Sequence, residues 1–282
     1  MWLAALAPVL LVTGSPAAPS PWEALEPGLE LAWFDGPSPA AGDGKIAVVR
    51  VDPARFDLRL MNASAPGEGS LRTVRAWAER AGAVAAINAS MYQEDYRTSV
   101  GLMRTRGHVN RSSLAKHNAV LAFDPLASGV PRVRIIDREC EDFEAVAEGY
   151  ASLVQSIRMV SCDRRNVWSR SERRFSTAAI GIDRKGRLLL LHARTPWPVH
   201  DLVNALLSLP IELARAMYAE GGAEAQLYLG AGGRELELVG GFAAVADSAV
   251  DNREAWPVPN VIAVVRRLSA IPSARPIDAN GK

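Results

Sequence analysis

The chain has 282 residues, 49% hydrophobic and 22% charged, with 32 basic against 31 acidic side chains. That balance excludes a disordered chain, and the length suffices to bury roughly 70–75% of the unfolded surface with no metal or disulfide staple. A formal net charge of +1 removes global electrostatics as an argument for nucleic acid or an acidic partner.

Residues 1–22 carry no charged side chain, and 2–12 are apolar except for Pro8. The run is shorter than the roughly 20 residues a membrane helix needs. It fits the apolar region of a secretory signal, and the small residues Gly14, Ser15, Ala17 and Ala18 that follow suit cleavage. The positively charged start usual in such signals is missing, so a buried N-terminal segment is the alternative. Residues 1–20 are read as a signal peptide and 21–44 as a lead-in. A single domain then covers 45–267, and a loose tail 268–282. The protein is expected to be exported, periplasmic or extracellular, with no stable membrane insertion after signal removal. In an oxidising compartment Cys140 and Cys162, the only cysteines, can join; two separate buried thiols are the alternative. Neither has a second ligand at zinc spacing, so no metal is expected.

Residues 45–51 and 56–61 read as strands around Asp52-Pro53. Ser70 suits a helix N-cap, with Leu71, Val74, Ala78 and Ala81 at helical spacing and a stop at Gly82. Strands follow at 83–87, 100–104, 119–123 and 133–136, then a helix over 141–150. The alternation continues with strands at 152–160, 175–182 and 187–193. Pro198 opens a helix with the apolar stripe Val199, Leu202, Val203, Leu206 and Leu207. Residues 214–219 lead into a Gly-Gly step, 226–229 and 235–239 form a hairpin about Gly232-Gly233, and 258–265 is a last strand. The reading is one α+β domain, a mixed β-sheet core with flanking helices.

Several chemistries fail on residue type. There is no GxSxG elbow, no HExxH and no GxxxxGK[ST] loop. Gly230-Ala231-Gly232-Gly233 precedes a strand, so it reads as a hairpin turn rather than a phosphate loop. The acidic cluster Glu139, Glu141, Asp142 and Glu144 reads as a solvated helix face. No cofactor is expected.

Four polar constellations sit at strand ends. In the first, 86–92, an apolar strand delivers Asn88, Ser90 and Tyr92, with Gly101 shortly after; amide, hydroxyl and phenol suit sugar hydroxyls. Asn88 as a simple loop cap is the alternative, and it also lies in an Asn-x-Ser sequon, as do Asn62 and Asn110. The second is a run of six arginines at 158–174, of which Arg158 and Arg174 adjoin apolar strands and suit phosphate or carboxylate. His192 ends an apolar strand, which suits either a structural or a catalytic imidazole. In the fourth, Glu220 precedes Gly221 and Gly222, and Glu224 follows, a carboxylate pair suited to glycosidic chemistry if the turn closes it.

Taken in order, 85–103, 155–160 (QSIRMV), 176–191, 216–229 (AMYAEGGAEAQLYL) and 256–265 resemble the phosphodiester glycosidase (NAGPA-like) family over residues 45–266. The family's Asn-Gly-Gly-Phe-like loop stands here as Asn88-Ala89-Ser90-Met91. Its Asp-Gly-Gly-Gly-Ser turn stands as Glu220-Gly221-Gly222-Ala223-Glu224, moving the carboxylate by about one methylene, 1–1.5 Å, a shift large enough to matter for rate. The resemblance implies hydrolysis of a sugar-1-phosphodiester, the partner being a glycan or sugar-phosphate substrate. It implies Arg158 and Arg174 on the phosphate and Glu220 as base or electrostatic stabiliser. His192 or Glu224 would assist, and Asn88 and Tyr92 would contact the sugar beside Gly101, Gly221 and Gly222. A non-catalytic binder of cell-envelope glycan and a hydrolase of another anionic polymer are the alternatives.

Overall fold

A computed structural model describes residues 20–38, 42–241 and 252–267. The expected signal segment up to residue 19 and the tail from 268 lie outside the described residues. Two strands, β1 (Glu23–Glu26) and β2 (Leu29–Asp35), precede the expected domain start, and β2 pairs with all of β3 (Lys45–Val51). Much of the segment read as a lead-in is therefore sheet. Next come β4 (Phe56–Asn62), α1 (Val74–Ala81) and β5 (Ala85–Asn88). Helix α1 is capped by Thr73, not Ser70: the Thr73 hydroxyl accepts from the Ala76 N–H at 3.2 Å, while Arg72 is taken into a bridge with Val258.

The middle of the chain forms β6 (Met103–Thr105), β7 (His108–Arg111), β8 (Ala119–Pro125), β9 (Val133–Asp137), α2 (Phe143–Ala147) and β10 (Tyr150–Ser156). The helix read over 141–150 keeps only its middle, because Asp142 caps it and Tyr150 enters β10 opposite Pro125. Strand β11 (Arg158–Val160) follows after Ile157 alone yet belongs to another sheet, so the strand read over 152–160 is two. The remainder is β12 (Arg174–Asp183), β13 (Leu188–Pro198), α3 (Val199–Ser208) and β14 (Leu213–Gly221). A 3-10 turn (Gly222–Glu224), β15 (Gln226–Ala231), β16 (Arg234–Val239) and β17 (Asn260–Arg266) complete it. Between β15 and β16, Gly232 and Gly233 have φ of 59° and 76°, the pair of positive values that a tight hairpin turn demands.

The fold is α+β, weighted to β, with antiparallel pairing. One sheet runs β1-β2-β3-β13-β12-β14-β11, a second β7-β6-β10-β8-β9 and a third β16-β15-β5-β17-β4. Strand alternation explains how they pack. In β3, Val49 and Val51 face a core shared with Leu121, Ile135, Ile87, Leu227 and Ile262 from the other two sheets. Ile46 and Val48, one residue out of phase, face α3 through Val199, Leu202, Val203 and Leu206. The outer face of the third sheet is covered by α1 with Trp77 fully buried, and that of the second sheet packs Ala147 and partly buried Phe143 of α2. Three inner faces thus meet in one core, and each outer face carries one helix.

Cys140 and Cys162 form a disulfide with Cα atoms 6.6 Å apart. It ties the end of β9 to the end of β11, hence the second sheet to the edge of the first. Beside it Asp137, 1% exposed, accepts Arg158 Nη1 on both oxygens at 2.7 and 2.9 Å and the Cys162 N–H at 3.0 Å. The neighbouring acids are not a solvated face. Glu139 also holds Arg158, Asp142 caps α2, and Glu141 accepts the Asp137 N–H and pairs with Arg134 and Arg215. Closing a loop of this size is worth roughly 3 kcal/mol through the unfolded chain. Replacing both cysteines by serine is expected to lower the unfolding free energy by about that amount in a urea melt with an unchanged native spectrum; an unchanged midpoint would refute the role of the crosslink.

Candidate active site

The turn between β14 and β15 is held by two buried side chains from other strands. Asn88, at the end of β5, donates from Nδ2 to the Glu224 carbonyl at 2.8 Å and accepts from the Gln226 N–H at Oδ1, 2.7 Å. Burial pushes the His192 imidazole down to about 4, so it is neutral at physiological pH. Its Nε2–H then donates to the Ala225 carbonyl at 3.1 Å, which leaves Nδ1 unprotonated. The Ala225 carbonyl also accepts the Gly240 N–H at 2.8 Å. Three consecutive residues of the turn are therefore gripped through their backbone.

The approach to the turn is irregular. Ala179 pairs with Tyr218 but Ala178 with Glu220, so Ala219 is the extra residue of a bulge, a device that commonly re-aims side chains beside active sites. Ala178 also pairs with His192, so Glu220 and His192 flank one alanine in a single row, two strand spacings or about 10 Å apart. A side chain at Gly221 would place its Cβ 1.9 Å from the Tyr218 hydroxyl, and Gly222 has φ 68°. These two positions need glycine for close approach and for left-handed backbone respectively.

Around the turn four titratable groups act on one another. Glu220 is partly exposed, yet desolvation pushes its carboxyl up to about 8; the Gly221 N–H, donating at 3.0 Å, opposes the rise and the Glu224 charge adds to it. Tyr92 and Tyr218 are both raised, first by burial and then by the charges of Glu220 and Glu224. Trp168 packs on Tyr218 with ring centroids 5.1 Å apart, and Tyr96 on Tyr92 at 5.6 Å. The result is a carboxyl pair with aromatic neighbours, one member of which keeps its proton at neutral pH.

The structure brings Tyr92, Glu220, Gly221, Gly222 and Glu224 together as the spacing suggests. It assigns other tasks to four residues expected at the substrate. Asn88 is 2% and His192 1% exposed, and both hold the turn from beneath. Gly101 gives room to Gln155, whose amide receives the Leu102 and Ala115 N–H groups and donates to the Ala115 and His117 carbonyls. Arg158 is spent on Asp137 and Glu139 and is not free for phosphate. Arg174 stays half-buried at the start of β12, and among the described residues no side chain pairs with it. Tyr218 and Trp168 were not singled out by sequence reasoning. Tyr218 lies two residues before Glu220 and was within reach of it, whereas nothing local marks Trp168. Among the described residues, Asp137, Cys140 and Cys162 form the one grouping of metal-ligand types, and the disulfide removes both thiolates. No helix there is long and apolar enough to cross a membrane.

Because Glu220 holds its proton to about 8 when folded, against 4.5 ordinarily, the folded state binds more protons than the unfolded one between those values. Stability attributable to this group is therefore full below 4.5 and lost as pH rises through 8. Glu220→Gln, permanently neutral, is expected to melt at a higher temperature than wild type at pH 9 and at the same temperature at pH 4; equal melting at pH 9 would show that the carboxyl is not desolvated.

The phosphodiester glycosidase family model matches residues 81–265, which include Asn88, Tyr92, His192 and the whole 220–226 turn. No curated protein is a significant sequence match. The catalytic domain of zebrafish N-acetylglucosamine-1-phosphodiester alpha-N-acetylglucosaminidase, auto-inhibited by its pro-peptide, is similar in structure. Its TM-score is 0.62 at 15% identity, over 87% of this chain and 86% of that one. A hypothetical protein from Synechocystis is similar at TM-score 0.60 and 15% identity, over 85% of this chain and 62% of that one. At such identities these likenesses show the fold. The family match spans well over half of the sequence, and the chain belongs to the phosphodiester glycosidase family.

Proposed function

We propose that the protein is an exported hydrolase that cleaves the sugar–oxygen bond of a sugar-1-phosphodiester, releasing the sugar and a phosphate monoester. The observation that carries this reading is the carboxyl pair Glu220 and Glu224, held at one backbone-gripped turn with Tyr92 and Tyr218 beside it. Glu220, neutral at physiological pH, serves as acid, where the resemblance implied a base or electrostatic stabiliser. It gives its proton to a phosphate oxygen as the bond to the anomeric carbon breaks and the electron pair leaves with the phosphate. Glu224 supplies negative charge to the oxocarbenium-like carbon, water adds there, and its proton returns to the Glu220 carboxylate.

A phosphate leaving group is already weakly basic, so neutralising its charge matters as much as protonating it. Arg174 is the candidate, on the strand beside β14 and unpaired among the described residues. Tyr92 contacts the sugar. Export is supported by the uncharged apolar N-terminus and by the disulfide, which persists in oxidising compartments.

The test is sugar release from a panel of sugar-1-phosphodiesters over a pH series. Wild type is expected to lose kcat/KM as pH rises through about 8, where Glu220 gives up its proton. Glu220→Gln is expected to lower kcat by about a hundredfold or more while KM changes little. Binding without release by a folded wild-type protein would instead favour the glycan-binding reading.

A further inference from the structure

The connection from β11 to β12 passes the mouth of the turn. Strand β14 lies between these two strands, antiparallel to both. Strand β11 ends with Val160 opposite Ala216, near the middle of β14. The chain then doubles back along β11: Asn166 bridges to Val160, and the Val167 N–H donates to the Met159 carbonyl at 3.1 Å. This return places Trp168 on Tyr218. Strand β12 starts at Arg174, beyond Thr177, which lies opposite Gly221. Residues 169–173 must therefore cross the Glu220–Gly221 end of β14, and five residues reach at most about 17 Å. The crossing is held close by its own length.

The composition of this crossing is unusual in a chain of near-zero net charge. Arg170 and Arg173 are exposed and Arg174 is half-buried, and among the described residues no carboxylate pairs with any of them. Glu172, exposed between them, is the single opposing charge. The other arginines of the run are committed: Arg158 to Asp137 and Glu139, Arg164 to the Leu213 carbonyl, Arg165 to Asp163. Three guanidinium groups against one carboxylate thus sit on the short segment that leads past the end of β14.

We infer that residues 169–174 form a subsite for a polyanionic leaving group, so that the substrate carries further phosphodiesters beyond the scissile one. This rests on the proposed function for its biological meaning but not for its test. A single phosphodiester needs one cation, supplied by Arg174. Two more arginines over the same strand end are matched by an anionic chain, since each planar fork takes two oxygens of one phosphate. An isolated sugar phosphodiester would leave Arg170 and Arg173 without partners.

The experiment is calorimetric binding of a short poly(glycerol phosphate) at two salt concentrations, with inorganic phosphate and an oligogalacturonate as separate probes. Wild type is expected to bind the poly(glycerol phosphate) best and to weaken with salt. Arg170→Gln with Arg173→Gln is expected to bind it about tenfold less tightly or worse. The same variant should release sugar from a simple methyl phosphodiester at the wild-type rate, since neither residue touches the reacting bond. No binding by wild type, equal binding by the variant, or preference for oligogalacturonate would each overturn the inference. Arginine-dependent polymer binding without cleavage of any diester would keep the subsite and remove the proposed reaction, so the two failures are distinguishable.

Discussion

The site depends on one constraint: the backbone of residues 224–226 is gripped from below by an amide and an imidazole that never reach the surface. Asn88 spans Glu224 and Gln226, and His192 holds Ala225 between them. Both side chains come from central strands, so the turn inherits the rigidity of the shared core. At this turn Glu220 lies close enough to Glu224 for the Glu224 charge to add to the rise that burial causes. The raised Glu220 carboxyl comes first from its burial beside this turn and then from the Glu224 charge, and the proposed acid role rests on it.

The same division of labour runs through the arginines. The 158–174 run looks uniform in sequence, but the fold separates it by what lies opposite each member. Arg158 neutralises a buried aspartate beside the disulfide, and removing one partner of such a pair leaves a buried charge uncompensated. Among the described residues no carboxylate pairs with Arg170, Arg173 or Arg174, on the segment that leads past the end of β14. Arginines paired within the fold and arginines without a carboxylate partner among the described residues are adjacent in the chain and differ only in their surroundings.

Much of the fold was legible because hydrophobic alternation is a local signal. Most strands from β3 onward, the stop at Gly82 and the Gly232-Gly233 hairpin follow from residue type alone; β7, short and without a buried residue, does not. The β1–β2 hairpin escaped because its four-residue first strand is half exposed and shows little alternation. The break at Ile157 was invisible because both pieces are apolar and only tertiary pairing sends them to different sheets. At the site, sequence singled out polar residues that the fold gathers at or beneath one turn, but not which of them are buried. Asn88 and His192 are polar groups at strand ends, a pattern that substrate contacts and buried clamps share, and only burial separates them. Arg158 could not be assigned without knowing that Asp137 lies opposite. Trp168 reaches the turn through a doubled-back loop, which no local spacing encodes, whereas Tyr218 stands two residues before Glu220.

The central claim is that the clamped turn keeps Glu220 protonated at neutral pH, and the direct test is a carboxyl 13C NMR titration. The Glu220 resonance can be assigned by its disappearance in Glu220→Gln. The account predicts a midpoint near 8. A midpoint in the ordinary glutamate range, about 4.3, would contradict both the desolvated turn and the acid role derived from it.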